Sequence, residues 1–309
     1  MDMEKIYDMI IVGGGPGGYT AALYGARAGL SVLIAERLSP GGQMNLTGQI
    51  DNYPGFADGV EGFQLSMDMH RQAERFGAET KYAEVLELNP VGEIKEVRTS
   101  DGVVFGKTLI IATGANPRPL GVEGEWELAG RGVGYCAHCD GGFYRGKTVV
   151  VVGGGNSAVA EALYLSRIAK EVILIHRRDS LRATPIYLKP LQEAANIRIL
   201  WNSQVEKFLS DDVLKGIVVK NVKSGEMQEL ACDGLFVSVG RKPATELVKD
   251  WLTLDAGGYI MAGEDTKTNL PGVFAVGDVR SKELRQIVTA VADGAVAAHM
   301  AERFLTEGE

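Results

Sequence analysis

A repeat of one strand–turn–helix pattern constrains the fold of this 309-residue chain more than any other feature. Val12-Gly-Gly-Gly15 recurs 140 residues later as Val152-Gly-Gly-Gly155, and Ala22-Leu-Tyr24 recurs at the same offset as Ala162-Leu-Tyr164. Each copy reads as an apolar strand, a glycine turn, an alanine-rich helix and a second apolar strand, which is the βαβ unit of a parallel sheet. The repeat therefore predicts an α/β chain with two Rossmann-like, three-layer nucleotide-binding domains.

The remaining segments predict that the first domain is discontinuous. Buried strands followed by proline-containing turns place domain boundaries near Asn116 and Pro243. Beyond the second boundary, residues 273–276 read as a strand and residues 284–304 as a long helix, with no glycine fingerprint between them. We expect this tail to fold back onto the first domain. The predicted domains are residues 1–117 with 247–309, and residues 118–246.

The first glycine turn matches a dinucleotide fingerprint. Gly13-x-Gly15-x-x-Gly18 follows a strand and opens a helix, as that motif requires. Its glycines permit a tight turn and close approach of a pyrophosphate, which the helix N-terminal amides receive. Glu36 ends the second strand, where a carboxylate can bind adenosine ribose hydroxyls. The alternative is a glycine turn needed only for packing.

The second turn carries a different nucleotide signal. It reads Gly153-x-Gly155-x-x-Ala158, and His176 stands at the position that matches Glu36. Guanidinium groups follow at Arg177, Arg178 and Arg182. Replacing a carboxylate with arginines suits a 2′-phosphate, which arginine binds bidentately, so this site should prefer NADPH to NADH. A solvated basic turn is the alternative.

Two cysteines with an adjacent acid precede the second repeat. Cysteines as close as Cys136 and Cys139 can form a disulfide, and the lower-pKa thiol can attack another disulfide or a flavin. Asp140 can move a proton to or from either group. The alternatives are two unreactive thiols, or a zinc site that adds His138 and Cys232. Because zinc usually needs four well-spaced donors, we expect no metal.

Composition excludes several functions. A hydrophobic content of 45% and a charged content of 23% are typical of soluble globular proteins. The net charge of −8 argues against a nucleic-acid surface. No apolar run has the length of a membrane span, and the acidic start does not resemble a secretory signal. Three cysteines do not make a secreted disulfide framework, so we expect a cytoplasmic redox protein.

Together, these motifs resemble the low-molecular-weight thioredoxin reductases of bacteria and archaea, over nearly the whole chain. The motifs that carry the resemblance are Gly13-x-Gly15-Pro-x-Gly18, Gly41-Gly-Gln43, Asn52-Tyr-Pro-Gly55, Ala112-Thr-Gly114, Cys136-x-x-Cys139-Asp140, Gly153-Gly-Gly-Asn-Ser-Ala158, His176-Arg-Arg178-x-x-x-Arg182, Pro271-Gly-Val-Phe-Ala-x-Gly277-Asp278 and Arg285-Gln286. The resemblance implies FAD in the discontinuous domain, NADPH in residues 118–246, and a homodimer.

The resemblance also implies an electron path and a set of site residues. Hydride would pass from NADPH to FAD, whose reduced form would open the Cys136–Cys139 disulfide. Cys139 would face the flavin with Asp140 as its proton donor, and Cys136 would attack the disulfide of thioredoxin. The FAD residues would be Gly13, Gly15, Pro16, Gly18, Glu36, Arg37, Gly42, Gln43, Asn52, Ala112, Thr113, Gly114, Gly277, Asp278, Arg285, Gln286 and Ile287. The NADPH residues would be Gly153, Gly155, Asn156, Ser157, Ala158, His176, Arg177, Arg178 and Arg182.

Two further expectations concern motion and partner choice. One flavin face cannot meet the nicotinamide and the disulfide at once, and the family solves this by rotating its two domains, here at hinges near Asn116 and Pro243. His138 and Gly142 depart from the family pattern beside the redox pair, as does Ala244 near the second hinge. The alternatives are a related flavoprotein acting on another redoxin or a small dithiol, and a nucleotide-binding redox sensor without turnover.

Overall fold

The structure is a computed structural model that describes residues 5–46 and 49–308, except the side chains of Leu46, Gln49 and His138. In chain order, its helices are α1 (Pro16–Arg27), α2 (Gly62–Arg75), α3 (Ala137–Asp140), α4 (Asn156–Ser166), α5 (Pro185–Glu193) and α6 (Ile287–Glu307). Its strands are β1 (Ile6–Val12), β2 (Val32–Glu36), β3 (Gln49–Ile50), β4 (Val60–Glu61), β5 (Glu79–Tyr82), β6 (Val85–Asn89), β7 (Lys95–Thr99), β8 (Gly102–Ile111), β9 (Ala115–Pro117), β10 (Val133–Gly134), β11 (Thr148–Gly153), β12 (Glu171–Ile175), β13 (Ile197–Leu200), β14 (Ser203–Ser210), β15 (Leu214–Asn221), β16 (Met227–Ala231), β17 (Gly234–Ser238), β18 (Arg241–Pro243) and β19 (Val273–Ala275).

The chain divides into two compact units. Unit 1 comprises the described residues of 1–47, 53–116 and 242–309, and unit 2 comprises those of 48–52 and 117–241. The predicted fold class is confirmed, because both units contain a parallel sheet with the strand–turn–helix repeat at its centre and unit 1 is discontinuous. No helix within the described residues is both long and apolar enough to cross a bilayer.

Unit 1 is built on a sheet with the strand order β5-β2-β1-β8-β7-β6, in which β19 also pairs with β8. Strand β1 pairs in parallel with β2 and β8, while β6 and β7 form an antiparallel extension. One sheet face packs through Met9 and Ile11 against α1, α2 and α6. The other face packs through Ile10 and Val12 against a segment that includes Val248. Covering both faces of an apolar parallel sheet gives three layers.

Helix α6 packs closely on α1 and starts later than its apolar pattern predicts. A Cβ atom at Gly294 would lie 2.3 Å from the Gly17 carbonyl oxygen, so only glycine allows this approach. The pattern predicts a helix from residue 284, but α6 begins at Ile287. Gln286 has extended backbone angles and forms a capping box with Thr289, which fixes the start of the helix.

Unit 2 has a five-stranded parallel sheet in the order β10-β17-β11-β12-β13. Its two faces are covered differently. Helices α3, α4 and α5 cover the face that includes Val149 and Val151, and the antiparallel sheet β14-β15-β16 covers the face that includes Val150. Cys232 lies in this second core and is buried. Burial raises the pKa of its thiol to about 12.

Candidate active site

The first glycine turn leaves open space where a pyrophosphate would lie. A Cβ atom at Gly13 would lie 2.5 Å from the Ala112 carbonyl oxygen, and one at Gly18 would lie 2.0 Å from the Gly13 carbonyl oxygen. Those two glycines are therefore required by backbone packing. At Gly15, by contrast, none of the described atoms outside its chain neighbours lies within 4 Å of the same position, and at Gly42 the nearest such atom is the Gly15 Cα at 3.8 Å. Helix α1 also has no side-chain cap and no acidic residue in its first turn, so its N-terminal amides suit phosphate.

Glu36 is held at the carboxyl end of β2 beside this turn. Its Oε2 accepts the Gly14 backbone N–H at 2.7 Å and its Oε1 accepts the Leu38 backbone N–H at 3.0 Å. Each carboxylate oxygen keeps a further lone pair for a ribose hydroxyl. The backbone N–H of Gly41 donates to the Gly14 carbonyl at 2.7 Å and brings the following loop to the turn. These residues fit the adenosine diphosphate part of FAD.

The second turn repeats this construction in unit 2. A Cβ atom at Gly153 would lie 2.3 Å from the Ser238 carbonyl oxygen, whereas none of the described atoms lies within 4 Å of that position at Gly155. Helix α4 likewise has no side-chain cap and no acidic residue in its first turn. The Arg182 backbone N–H donates to the Gly154 carbonyl at 2.7 Å, as Gly41 does in unit 1. The basic loop is thereby fastened to the nucleotide turn.

His176 and the three arginines have different positions at this turn. The His176 ring is buried next to Gly154, where a Cβ atom would lie 2.2 Å from it. Burial lowers the pKa of His176, so the ring is neutral near pH 7. The guanidinium residues are exposed at Arg177, Arg178 and Arg182. No carboxylate in the described part of the chain forms an ion pair with them, so this set fits the 2′-phosphate of NADPH.

Cys136 and Cys139 form a disulfide at the start of α3. The Cys136 carbonyl accepts the backbone N–H groups of Cys139 and Asp140, each at 3.1 Å, which closes the turn that brings the sulfurs together. Both cysteines are half-buried. The zinc alternative needed Cys232, which lies in the core, and the His138 side chain, which lies outside the described residues. The described residues contain no group of three or more ligands that could hold a metal ion.

Asp140 follows the redox pair directly and is half-buried. Its Oδ2 lies 3.4 Å from the position a Cβ atom would take at Gly134. Burial raises the pKa of Asp140 to about 6. A carboxyl group with this pKa exchanges its proton near neutral pH, which suits a proton donor to a nearby thiolate.

Two buried carboxylates near the redox pair were not predicted from the sequence. The Glu125 carboxylate accepts the backbone N–H groups of Leu120 and Gly121 at 3.0 and 2.9 Å, and the Tyr135 hydroxyl at 2.9 Å. It fixes the loop after the first domain crossing to the residue that precedes Cys136. Burial, assisted by Glu125, raises the pKa of Tyr135. A single glutamate in a polar loop gives no sequence signal for such a role.

Glu161 is the second of these carboxylates and lies on α4. Burial raises its pKa to about 7, against smaller lowering effects of Ser238, Arg241 and the Ala137 backbone N–H. Its Oε2 is buried and has no hydrogen-bond partner within the described residues. Since Ala137 opens α3, Glu161 connects the helix of the second nucleotide turn with the redox helix.

Other predicted FAD residues make contacts within the protein. The Gly277 backbone N–H donates to Asp293, and Arg285 lies over the Tyr259 ring at 3.9 Å. Gln286 caps α6, directly before Ile287. At the first domain crossing, two hydrogen bonds join residues 113–114 to Ala244. The Thr113 hydroxyl donates to the Ala244 carbonyl at 2.7 Å, and the Ala244 backbone N–H donates to the Gly114 carbonyl at 3.0 Å.

The remaining predicted residues lie at more exposed positions. Arg37 is exposed and pairs with Glu84 at 3.5 Å, and the Gln43 side chain donates to Asn116 at 3.4 Å. Pro16 occupies the first turn of α1, and Asp278 is half-buried in the turn after β19. Asn52 groups with unit 2 rather than with the FAD residues of unit 1. In unit 2, Asn156 and Ser157 are exposed at the start of α4, and Ala158 is buried beneath the turn.

Comparison with known proteins assigns the chain to a family. The family model described as pyridine nucleotide-disulphide oxidoreductase matches residues 7–294. A protein named thioredoxin reductase from Listeria monocytogenes is 45% identical over 98% of this chain and 95% of its own length. The solved thioredoxin reductase of Streptococcus pyogenes is 45% identical, with a TM-score of 0.90 over 99% of this chain and 100% of that chain. That of Lactococcus lactis in its FR conformation is 46% identical, with a TM-score of 0.71 over 97% of this chain and 99% of that chain. This chain belongs to the pyridine nucleotide-disulphide oxidoreductase family.

Proposed function

We propose that this chain is an NADPH-dependent thioredoxin reductase that uses FAD and the Cys136–Cys139 pair. The observation that carries the proposal is the disulfide itself, which closes beside the protonatable Asp140. It lies in the same unit as a nucleotide turn followed by three exposed arginines. The relatives of this chain that are named thioredoxin reductase match it over nearly its whole length.

Each unit would hold one cofactor. The open turn at Gly15, with Glu36 at the strand end, would hold FAD in residues 1–117 and 247–309. The open turn at Gly155, with Arg177 and Arg178, would hold NADPH in residues 118–246. When bound, FAD can accept a hydride from NADPH and pass the electron pair to a disulfide.

The residues of the redox loop account for the remaining steps. Two electrons break the Cys136–Cys139 bond, and Asp140 gives its proton to the Cys139 sulfur. The Cys136 thiolate then attacks one sulfur of the thioredoxin disulfide, forms a mixed disulfide and releases the other sulfur as a thiolate, which takes a proton. Cys139 returns its proton to Asp140 and attacks the Cys136 sulfur of the mixed disulfide. The Cys136–Cys139 bond re-forms as the bond to thioredoxin breaks, and the second thioredoxin sulfur leaves as a thiolate that takes a proton from water.

The surroundings of the pair suit a protein partner. Trp126 stacks on Tyr135, the residue before Cys136, and is 59% exposed as a residue. An exposed aromatic residue that needs little ordering is a frequent anchor in protein interfaces. We also propose that the active assembly is a homodimer and that it works in the cytoplasm, where dithiols stay reduced.

An anaerobic assay tests this function. The chain loaded with FAD should reduce the thioredoxin of the same source with NADPH, and the Cys136→Ser and Cys139→Ser variants should keep FAD but lose this reduction. Reduction of another redoxin or a small disulfide, without reduction of thioredoxin, would assign the alternative substrate. Failure of NADPH to reduce the bound flavin would reject catalysis and favour a sensor.

A further inference from the structure

A buried carboxylate on α6 holds the turn that follows β19. Asp293 Oδ2 accepts the Gly277 backbone N–H at 2.8 Å, the Arg280 Nε at 3.0 Å and the Lys282 Nζ at 2.6 Å. Its Oδ1 accepts the Arg280 Nη2 at 2.9 Å. Four donors therefore converge on one side chain directly behind Gly277 and Asp278. This set of Asp293, Arg280 and Lys282 is called the α6 charge cluster below.

The α6 charge cluster is removed from water. The side chains of Arg280, Lys282 and Asp293 are 11%, 9% and 8% exposed. Arg280 also donates to the carbonyls of Ala262 and Gly263 at 2.9 and 3.0 Å, so its guanidinium is fixed on several sides. Because buried charges are weakly screened, this cluster acts on its surroundings more strongly than a surface ion pair.

Opposing effects set the charge states of the cluster. Burial raises the pKa of Asp293, but the hydrogen bonds from Arg280 and Lys282 outweigh burial and leave it lowered. Burial, with a smaller contribution from Arg280, lowers the pKa of Lys282, and the carboxylates of Asp293 and Asp278 offset this effect only in part. Lys282 Nζ and the Gly277 backbone N–H donate to the same oxygen, Asp293 Oδ2, which places the Lys282 ammonium group beside the turn.

The same turn of α6 also touches the first nucleotide turn. Gly294, the neighbour of Asp293, approaches the Gly17 carbonyl so closely that a Cβ atom would lie 2.3 Å away. Gly17 lies in the first turn of α1, which follows the open position at Gly15. Two adjacent residues of α6 therefore fix, at one place, the fingerprint helix and the Gly277–Asp278 turn. These two pieces are distant in sequence, and both belong to the proposed FAD site.

We propose that the α6 charge cluster is the positioning group of the FAD site, with Asp293 fixing the Gly277–Asp278 turn and Lys282 providing a buried positive charge that favours reduction of the flavin. This inference rests on the proposed function, because it requires FAD in unit 1. Asp293 acts through the turn and is not itself a catalytic residue. A positive charge near a group that gains electrons stabilises the reduced form, so removing it lowers the reduction potential.

The first test measures how well the turn holds FAD. Asp293→Asn keeps the shape of the side chain but removes the charge that holds Arg280 and Lys282. We expect FAD to leave this variant at least tenfold faster than it leaves the wild type, as followed by flavin fluorescence after dilution. The matched control is Asp68→Asn, which removes an exposed helix carboxylate paired with Arg71. The control should release FAD at the wild-type rate.

The second test separates charge from structural support. Lys282→Met keeps an unbranched side chain of nearly the same length without its charge, and Lys282→Arg keeps the charge. The midpoint potential of the bound flavin should fall in the methionine variant, by about 30 mV for each tenfold change in the reduction equilibrium. It should stay at the wild-type value in the arginine variant. A merely structural role would not move the potential, and this readout does not require turnover or the aspartate variant.

The proposal is overturned if FAD leaves Asp293→Asn at the wild-type rate, or if Lys282→Met keeps the wild-type potential. If the wild-type protein binds FAD and reduces thioredoxin, either of these results rejects only the role proposed for the α6 charge cluster. A wild-type chain that holds no FAD rejects the proposed function itself.

Discussion

At the scale of single residues, unit 2 contains two carboxyl groups whose protons are held more tightly than in water. Burial raises the pKa of Asp140 to about 6 and that of Glu161 to about 7. Asp140 follows the disulfide directly, whereas Glu161 faces the first backbone N–H of the redox helix. A proton on Asp140 can therefore take part in the reaction, while a proton on Glu161 affects the stability of the unit.

We expect Asp140→Asn to slow electron transfer from the flavin to the disulfide roughly 100-fold, because general acid catalysis contributes about that much. The active form is the protonated acid, so the wild-type rate should fall as the pH rises through about 6. The variant should show no such fall. Anaerobic stopped-flow measurements of flavin absorbance at several pH values check this. A variant with the wild-type rate and pH profile would contradict the role of Asp140.

Glu161→Gln should change how stability depends on pH. The folded-state pKa of about 7 exceeds the ordinary value of 4.5, so this group contributes stability below pH 4.5 that is lost as the pH rises through 7. The loss amounts to roughly 3 kcal/mol, at about 1.4 kcal/mol for each pKa unit. The glutamine variant should not show this loss of stability as the pH rises. Urea unfolding at pH 4.5, 6 and 8 measures it, and parallel pH profiles of the two proteins would refute it.

Residues with a local pattern could be predicted from the sequence, and residues without one could not. The spacing of Cys136 and Cys139 allows a disulfide, the family resemblance implies one, and it is present. Glu125, Glu161 and Asp293 acquire their importance from partners that the fold brings together. A single carboxylate in a sequence does not reveal whether it is buried, so these three were missed.

At the scale of elements, the two nucleotide turns are built alike. In each turn, one glycine is required by backbone packing and another leaves open space for a ligand. Gly15→Ala should fold, because the space at that position is open, but its methyl group would occupy the place of the pyrophosphate. We expect FAD to bind at least about tenfold more weakly, a loss of about 1.4 kcal/mol, with NADPH binding kept. Gly155→Ala should show the reverse. Flavin absorbance and NADPH titration measure both constants.

Each of these variants is the control for the other. Gly13→Ala provides a further comparison, because its Cβ atom would clash with the Ala112 carbonyl and its φ of +108° disfavours alanine. That variant should lose stability rather than only cofactor. If Gly15→Ala and Gly155→Ala weakened both cofactors equally, the assignment of one turn to each cofactor would be wrong.

The elements themselves were predicted well where the pattern was periodic. Helices α1 and α4 begin at Pro16 and Asn156, which keeps the 140-residue offset of the repeat. The predicted start of α6 is too early, because Leu284 extends the apolar pattern while the extended Gln286 ends the loop. A capping box that uses glutamine and threonine is a weak sequence signal compared with a serine or aspartate cap.

At the scale of the whole molecule, the chain joins two units that each have the fold of a nucleotide-binding domain. The discontinuity of unit 1 was predictable, because only two segments carry the glycine fingerprint and the C-terminal tail had to join one of the two domains. How such units move was not predictable from composition or periodicity. Two solved relatives of nearly equal identity, 45% and 46%, give TM-scores of 0.90 and 0.71. Nearly equal sequence identity to this chain therefore goes with different degrees of structural similarity to it.

We expect a covalent cross-link between the two units to abolish turnover while FAD stays bound. The reason is geometric, since one face of the flavin cannot meet the nicotinamide and the Cys136–Cys139 disulfide together, and the disulfide must also reach thioredoxin. We therefore expect the units to change their arrangement during each cycle. A lysine-reactive cross-linker, followed by separation and peptide mapping, would give chains linked between units and chains linked within one unit.

The chains linked within one unit are the control and should keep most of the NADPH-dependent reduction of thioredoxin. The chains linked between units should keep the flavin spectrum and lose steady-state turnover. Under single-turnover conditions, they should complete only the half-reaction that their fixed arrangement permits, either flavin reduction by NADPH or electron transfer to the disulfide. Full turnover in the chains linked between units would show that a single arrangement serves both half-reactions. The prediction of domain rotation would then be wrong.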